Sequence, residues 1–467
     1  MSKKKQKSME ELLEEALVLE EEHPYKVPEN WVWVRFKHLV DFFSGSAFPN
    51  QYQGYNDLEI PFYKVGNLKD TDSNYYIYSE ENTISEEIRV KLKAKKVPKD
   101  TILFAKIGEA IRLNRRGLVP KPACIDNNLM GFKANENILD NKLLLYWSLK
   151  EDFYKYSQAT AVPSIRKSTL EAIAFPLPPI HEQRRIAEKI ERLFAKIDEA
   201  KLLIEEVKES FELQRAAILD KAFKGQLGTN DPNEKSMLET SNHIKEKDLI
   251  PKEEQPYEVP KNWVWVKTGA IFEQIKEQVL PVGNETYVGL EHLIKGGGIS
   301  HTELAKDIKS KKVVFKKGDV LYGKLRPYLN KHAVVDFDGV ASTDILVLRT
   351  EHKYLNQLLD YYLGLPSTID YAVSNSNGIN LPRVSPKKMN DLPFPLPPKN
   401  EWKRIVKILD KMLNNLIEEQ TLIEQLEAEL ISLKNSILYK AFRGELGTND
   451  LTDKHAIELL KEVLKSK

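Results

Sequence analysis

Cysteine is nearly absent: Cys124 stands alone among 467 residues. One thiol excludes an internal disulfide framework and suits a reducing compartment. No apolar run approaches the ~18 residues of a membrane helix. The opening MSKKKQKSMEELLEEALVLEEE is basic and then acidic, without the apolar stretch of a signal peptide. A soluble cytoplasmic protein with no membrane partner is therefore expected. Charge of one sign is also lacking, since 70 Lys plus Arg oppose 69 Asp plus Glu for a net charge of +1. Any polyanionic partner must then be met by local patches rather than by the whole surface.

Catalytic signatures are equally scarce. H-E-x-x-H, paired C-x-x-C, G-x-S-x-G and a G-x-G-x-x-G opening a βαβ unit are all missing. GDVLYGKL, Gly318 to Leu325, has the spacing of a phosphate loop but places Leu325 where Ser or Thr would hold magnesium. It also lies inside a β-rich run. An enzyme would have to rest on Lys324 of that segment, so no catalytic residue and no metal or cofactor of this chain's own is expected.

What the sequence does contain is a long internal repeat. AFPLPPIHEQRRI (174–186) returns as PFPLPPKNEWKRI (393–405), and LDKAFKGQLGTND (219–231) as LYKAFRGELGTND (438–450), both at an offset of 219. PYKVPENWVWV (24–34) returns as PYEVPKNWVWV (256–266) at an offset of 232, so the block between the matches is 13 residues longer in the first copy. Two copies share their ends and differ in their middles, and a repeat of this kind dictates the architecture.

After each PLPP, apolar residues recur at alternating steps of four and three. The first copy runs from Ile186 through Ile190, Ile197, Ile204 and Phe211 to Ile218, and the second from Ile405 through Leu409, Leu416, Ile423 and Leu430 to Ile437. A heptad seam of more than four heptads predicts a coiled-coil helix of about 50 Å. The preceding prolines, and the glycines at 225 and 444, mark start and stop. A homo-oligomeric coiled coil would bury such a seam, but two equal seams in one chain can satisfy each other as an antiparallel pair with a pseudo-two-fold axis. Gln214 and Glu419 interrupt the seams and mark places for a third helix or a partner.

The middles alternate short β-rich runs with Gly and Pro turns, as in EIPFYKVGNL and TILFAKIG, or TYVGLEHL and KVVFKKGDVLYGKL. Helical NKLLLYWSLKEDFYKYS and LNQLLDYYLG follow them. GDVLYGKL parallels KDTILFAKI, and GVASTDILVLR parallels ACIDNNLMGFK, so the middles are diverged versions of one fold. The fold class is α+β: two mixed α/β domains separated by two long antiparallel coiled-coil helices. Expected boundaries are an N-terminal helical segment (1–23), the first domain (24–178), its helix (179–228), a linker (229–255), the second domain (256–397), its helix (398–447) and a helical tail (448–467). Trp31, Trp33, Trp263 and Trp265 alternate like strand residues of a core.

Basic residues cluster in the middles. Lys306 to Arg349 holds ten Lys plus Arg against five Asp. FAKIGEAIRLNRRG brings Lys106, Arg112, Arg115 and Arg116 together with Asn114, and YGKLRPYLNKH brings Lys324, Arg326, Asn330 and Lys331 together with Tyr322 and Tyr328. Arg166 and Lys167, and Arg383 with Lys387 and Lys388, lead into the PLPP motifs. Lys and Arg neutralise phosphate, and Arg and Asn pair with guanine and adenine edges. Such runs are otherwise solvated faces and turns; as DNA contacts the candidates are Lys106, Arg112, Asn114, Arg115, Arg116, Arg166, Lys167, Tyr322, Lys324, Arg326, Asn330, Lys331 and Arg383.

The order of variable domain, PLPP-started helix ending in KAFKGQLGTND, second variable domain and helix ending in KAFRGELGTND resembles the specificity subunit of type I restriction-modification systems. The likeness covers nearly the whole chain. Its second helix start departs from the pattern, reading Glu401-Trp402 where the first reads Glu182-Gln183. The resemblance implies two target recognition domains, each reading one half of a bipartite, asymmetric site in double-stranded DNA. It implies helices that set the unread gap and dock two adenine-specific methyltransferase subunits, together with restriction subunits that translocate and cleave DNA. S-adenosylmethionine, ATP and magnesium would then belong to the partners. A coiled-coil scaffold presenting two protein-binding domains is the alternative; it accounts for the repeat but leaves the basic clusters unexplained.

Overall fold

The structure, a computed structural model, describes residues 8–158, 162–241 and 243–465. The chain divides into two compact units, Met1–Leu202 with Glu427–Lys467, and Leu203–Leu426. Two long helices, Ile180–Phe223 and Lys399–Ala441, have 44 and 43 residues. Each unit thus contains the start of one long helix and the end of the other. In the first, Ile186, Ile190, Phe194 and Ile197 share a core with Ile437, Leu438, Ala441 and Phe442. In the second, Leu219, Ala222 and Phe223 share one with Ile405, Val406, Leu409 and Leu413. Start meets end in both, so the helices run antiparallel within each unit.

Both helices stop in the same way. The Gln226 N–H donates to the Lys221 carbonyl at 2.8 Å and the Gly225 N–H to that of Ala222 at 3.1 Å; Glu445 to Lys440 (2.8 Å) and Gly444 to Ala441 (3.2 Å) repeat the pattern. These are Schellman caps, which need a left-handed residue, and Gly225 and Gly444 have φ of 68° and 74°. Each glycine lies flat against the repeated NWVWV segment. A Cβ on Gly225 would sit 2.4 Å from Pro260 Cγ, and one on Gly444 would sit 2.3 Å from Pro28 Cγ.

The helix starts are held by buried carboxylates. Glu401 accepts the Thr229 hydroxyl and the Trp263 Nε1–H, both at 2.8 Å. Glu182 accepts the Thr448 hydroxyl at 2.6 Å and Arg185 Nε at 3.1 Å. Burial raises both carboxyl pKa values, and these bonds oppose it. The departure at Trp402 is absorbed locally. Gln183 Nε2 donates to the Pro178 carbonyl at 2.9 Å, and Trp402 Nε1 donates to the matching Pro397 carbonyl at the same distance.

Each middle builds one four-stranded antiparallel sheet in one strand order. The first runs Val40–Ser44, Leu129–Ala134, Ile102–Ala105, Gly117–Leu118, and the second Glu273–Ile275, Ile345–Arg349, Val320–Gly323, His332–Val334. A second sheet in each holds a parallel pair, Phe62 beside Cys124 and Tyr287 beside Val340. It has three strands in the first unit and five in the second. NWVWV pairs with the strand that leads into the helix, Val32 opposite Leu177 and Val264 opposite Leu396. All four tryptophans are buried.

Two expectations need correction. The helix expected across 141–157 stops at Lys150, where Glu151 turns extended, and resumes only as the 3₁₀ turn Phe153–Tyr156. The heptad seams are not buried along their length. Val207 is 40 % exposed, Leu426 43 % and Leu433 48 %. Ile204, Phe211 and Leu416 stay buried between the helix ends, so the seam is covered in part, and the 3.5-residue pattern alone does not report which positions are covered.

Gly225→Ala is expected to cost at least about 1 kcal/mol, because a left-handed alanine is strained and its Cβ collides with Pro260; a melting curve of the full chain checks it. Glu401 contributes in the opposite sense to a salt-bridged carboxylate. Its raised pKa lets the folded state keep a proton that the unfolded chain has released, so stability falls as pH rises above the ordinary glutamate value of ~4.3. Glu401→Gln, which keeps an acceptor oxygen and does not titrate, is expected to lose less stability than wild type between pH 4 and pH 8. Parallel stability curves would dismiss this account.

Candidate nucleic-acid interface

The predicted basic residues gather at one edge of each four-stranded sheet. Strand Ile102–Ala105 runs into Lys106 and then the 3₁₀ turn Glu109–Leu113, and strand Val320–Gly323 runs into Lys324 and the turn Pro327–Leu329. Both turns end on a left-handed asparagine, Asn114 (φ 47°) and Asn330 (φ 46°). A second loop is sewn to each edge by the same backbone bonds. Gly108 N–H donates to the Pro163 carbonyl at 2.8 Å and Ile165 N–H to that of Lys106 at 2.9 Å; Arg326 N–H donates to Pro382 at 2.7 Å and Val384 N–H to Lys324 at 3.1 Å. The fold thereby brings Lys106 beside the segment carrying Arg166, and Lys324 and Arg326 beside Arg383.

Among these, Arg115, Arg166, Arg326 and Arg383 are exposed. Arg383 is held 2.5 Å from Asp344 Oδ1, and Lys324 N–H donates to the Asp344 carbonyl at 2.9 Å. Partial burial lowers the Lys324 pKa, with Asp344 opposing. Arg112 is exposed yet engaged: it pairs with Glu109 at 2.7 Å and lies 3.8 Å over the Tyr154 ring. Lys167 is exposed and pairs with Glu171 at 3.2 Å. Asp344 and Tyr154, which the sequence offers only as one charge of the Lys306 to Arg349 stretch and as part of a helical run, join this edge through the tertiary fold.

Five candidates are committed to the interior instead. Arg116 is 4 % exposed, donates to the Ser148 carbonyl at 2.8 Å and to Asn114 Oδ1 at 2.9 Å, and stacks 4.0 Å over Phe153. Burial pushes its pKa down to about 9. Asn114 accepts that bond and donates to the Glu151 carbonyl at 2.9 Å, fixing the end of the neighbouring helix. Tyr322 faces the core at 2 % exposure and Asn330 is 6 % exposed. Lys331 turns inward to the Leu290 carbonyl at 2.6 Å. His332, the counterpart of Arg116, is likewise buried, with Nδ1 2.7 Å from Asp360. A motif alone cannot separate these from readers, because the strand pleat sends alternate residues inward.

GDVLYGKL is a turn and a strand, with Gly318 at φ 95°, and no helix opens at its second glycine. Among the described residues His292, His301 and Glu303 could offer a metal three ligand atoms within 4.8 Å of one another. The Gly289 N–H, however, donates to His292 Nδ1 at 3.1 Å. That leaves the neutral ring's proton on Nε2, the atom facing Glu291 and Glu303 at 3.8 and 3.9 Å, so it has no lone pair for a metal.

The family model described as the type I restriction modification DNA specificity domain matches twice, over residues 28–209 and 243–428. The chain belongs to the type I restriction-modification DNA specificity family. It is 28 % identical over 325 residues to the specificity subunit of the type I restriction enzyme EcoDI of Escherichia coli, covering 67 % of this chain and 71 % of that one. With the EcoBI specificity subunit of the same organism it shares 23 % identity over 443 residues, 90 % of this chain and 87 % of the other. The HsdS subunit from Thermoanaerobacter tengcongensis has the same fold, with a TM-score of 0.55 at 21 % identity over 91 % of this chain and 100 % of that one. A chain of another solved type I restriction-modification system gives a TM-score of 0.66 at 20 % identity, over 91 % and 100 %. The two matches of the specificity-family model cover both sheet edges described above.

Arg116→Ala is expected to lose roughly 3 kcal/mol of stability, since it orphans buried acceptors. Arg115→Ala, one residue earlier and exposed, should stay within about 0.5 kcal/mol. Denaturant unfolding of both variants separates the two roles.

Proposed function

We propose that this chain is the non-catalytic subunit that supplies DNA sequence recognition to a type I restriction-modification complex. Each unit's mixed α/β domain reads one half of a bipartite, asymmetric site in double-stranded DNA. The observation that carries this is the repeated sheet edge: the same strand, turn and sewn loop in both units, bearing exposed cations of different identity and spacing. One scaffold with two different edges is what two unlike half-sites require.

The long helices set the unread gap and offer docking surface to two methyltransferase subunits and to restriction subunits. Their partly exposed apolar positions support that role, as does kinship with specificity subunits of Escherichia coli enzymes. S-adenosylmethionine, ATP and magnesium are held by those partners, in the cytoplasm. No helix among the described residues is long and apolar enough to cross a membrane.

Phosphate contacts release counterions, so duplex binding by the assembled complex should weaken steeply with salt. Arg326→Ala should weaken it uniformly across sequences and lower the log–log salt slope by about 1. Adding one turn, about four residues, to both long helices should lengthen the gap in the methylated motif and leave both half-sites unchanged. A changed half-site with an unchanged gap, or a stable complex without DNA binding, would refute the assignment.

A further inference from the structure

The second unit's sewn loop is a hairpin, with Ser376 opposite Val384 and Asn377 opposite Arg383. Its base is rigid. Pro382 accepts the Arg326 N–H at 2.7 Å, Val384 donates to Lys324 at 3.1 Å, and Arg383 is clamped to Asp344 at 2.5 Å. Gly378, at φ 101°, allows the tip to close, because a Cβ there would stand 3.0 Å from the Leu381 carbonyl oxygen. The tip itself is bare. Ile379 is 100 % exposed and Leu381 54 % exposed. Asn377 and Asn380 are exposed, and neither side-chain amide has a hydrogen-bond partner among the described residues.

A stiff base that holds two unspent amides and a bare β-branched side chain, beside exposed Arg326 and Arg383, has the chemistry of a base reader. A carboxamide meets adenine N6 and N7 with two bonds, and an apolar side chain meets the thymine methyl; both features lie on one A·T pair in the major groove. The neighbouring cations suit the flanking phosphates. Residues 159–161 of the first unit lie outside the described residues.

We infer that the Asn377–Leu381 tip reads A·T pairs in one half-site, with Asn380 and Asn377 on adenine and Ile379 on the thymine methyl. This rests on the DNA-recognition role proposed above. The test uses the full chain assembled with its methyltransferase subunits, as wild type, Ile379→Ala and Asn380→Ala. Methylated motifs are mapped, and affinity is measured for the site, for single-base variants of it and for a random duplex. Either substitution should cut discrimination at an A·T position of one half-site by roughly 5- to 100-fold, with the other half-site, the gap and random-duplex affinity unchanged. Unaltered discrimination in both variants would overturn the inference while leaving the specificity role intact, and so would an equal loss on every duplex, which marks a backbone contact. A wild-type complex with no bipartite motif would sink the role and the inference together.

Discussion

Everything in this fold hangs on a latch formed where a long helix ends. A left-handed glycine closes the Schellman cap, lies against the proline two residues ahead of NWVWV, and delivers the following threonine to a buried glutamate at the start of the other helix. Three physical demands meet there: free carbonyls must be capped, a Cβ must be absent, and a desolvated carboxylate must find donors. Since the same residues meet these demands twice, the two domains can diverge in their loops without loosening the frame that carries them.

That division explains why the domains tolerate such different surfaces. The four-stranded sheet keeps its strand order in both units, while the accompanying sheet grows from three strands to five. The position after the left-handed turn is tied inward in each case, once by Arg116 to the carbonyls of Ser148 and Glu151, once by His332 to Asp360. The tie is kept and its chemistry changes. What remains free to vary is the outer rim of turn and loop.

Much of the frame was legible in the residues. Heptads, proline starts, glycine stops and the repeat offsets all record local backbone requirements, and the helices and paired strands follow from them. The recognition edge was legible only in part. Lys106 comes to that edge in the first unit, and Lys324, Arg326 and Arg383 come to it in the second, because their motifs sit where a strand runs out into a loop. Arg116, Tyr322 and Lys331 go inside, because partners such as Ser148, Phe153 and Leu290 lie far off in sequence and are brought near only by the tertiary fold. The Asp344 clamp on Arg383 was hidden for the same reason. The amides of the NGINL tip carry no sequence signal of their own, and only the arginine that follows them stands out.

The latch also fixes an order of assembly during synthesis. The second unit, Leu203–Leu426, is continuous, so all its core residues are made before the closing segment of the first unit. The first unit needs Ile437, Leu438, Ala441 and Phe442 in its core, together with Ala456 and Leu460. At synthesis rates of roughly 5–20 residues per second, its early strands wait ten seconds or more, on the order of the time to make about 250 residues, before the helix end that covers them emerges. The unit whose strands are made first is therefore the one whose core is completed later.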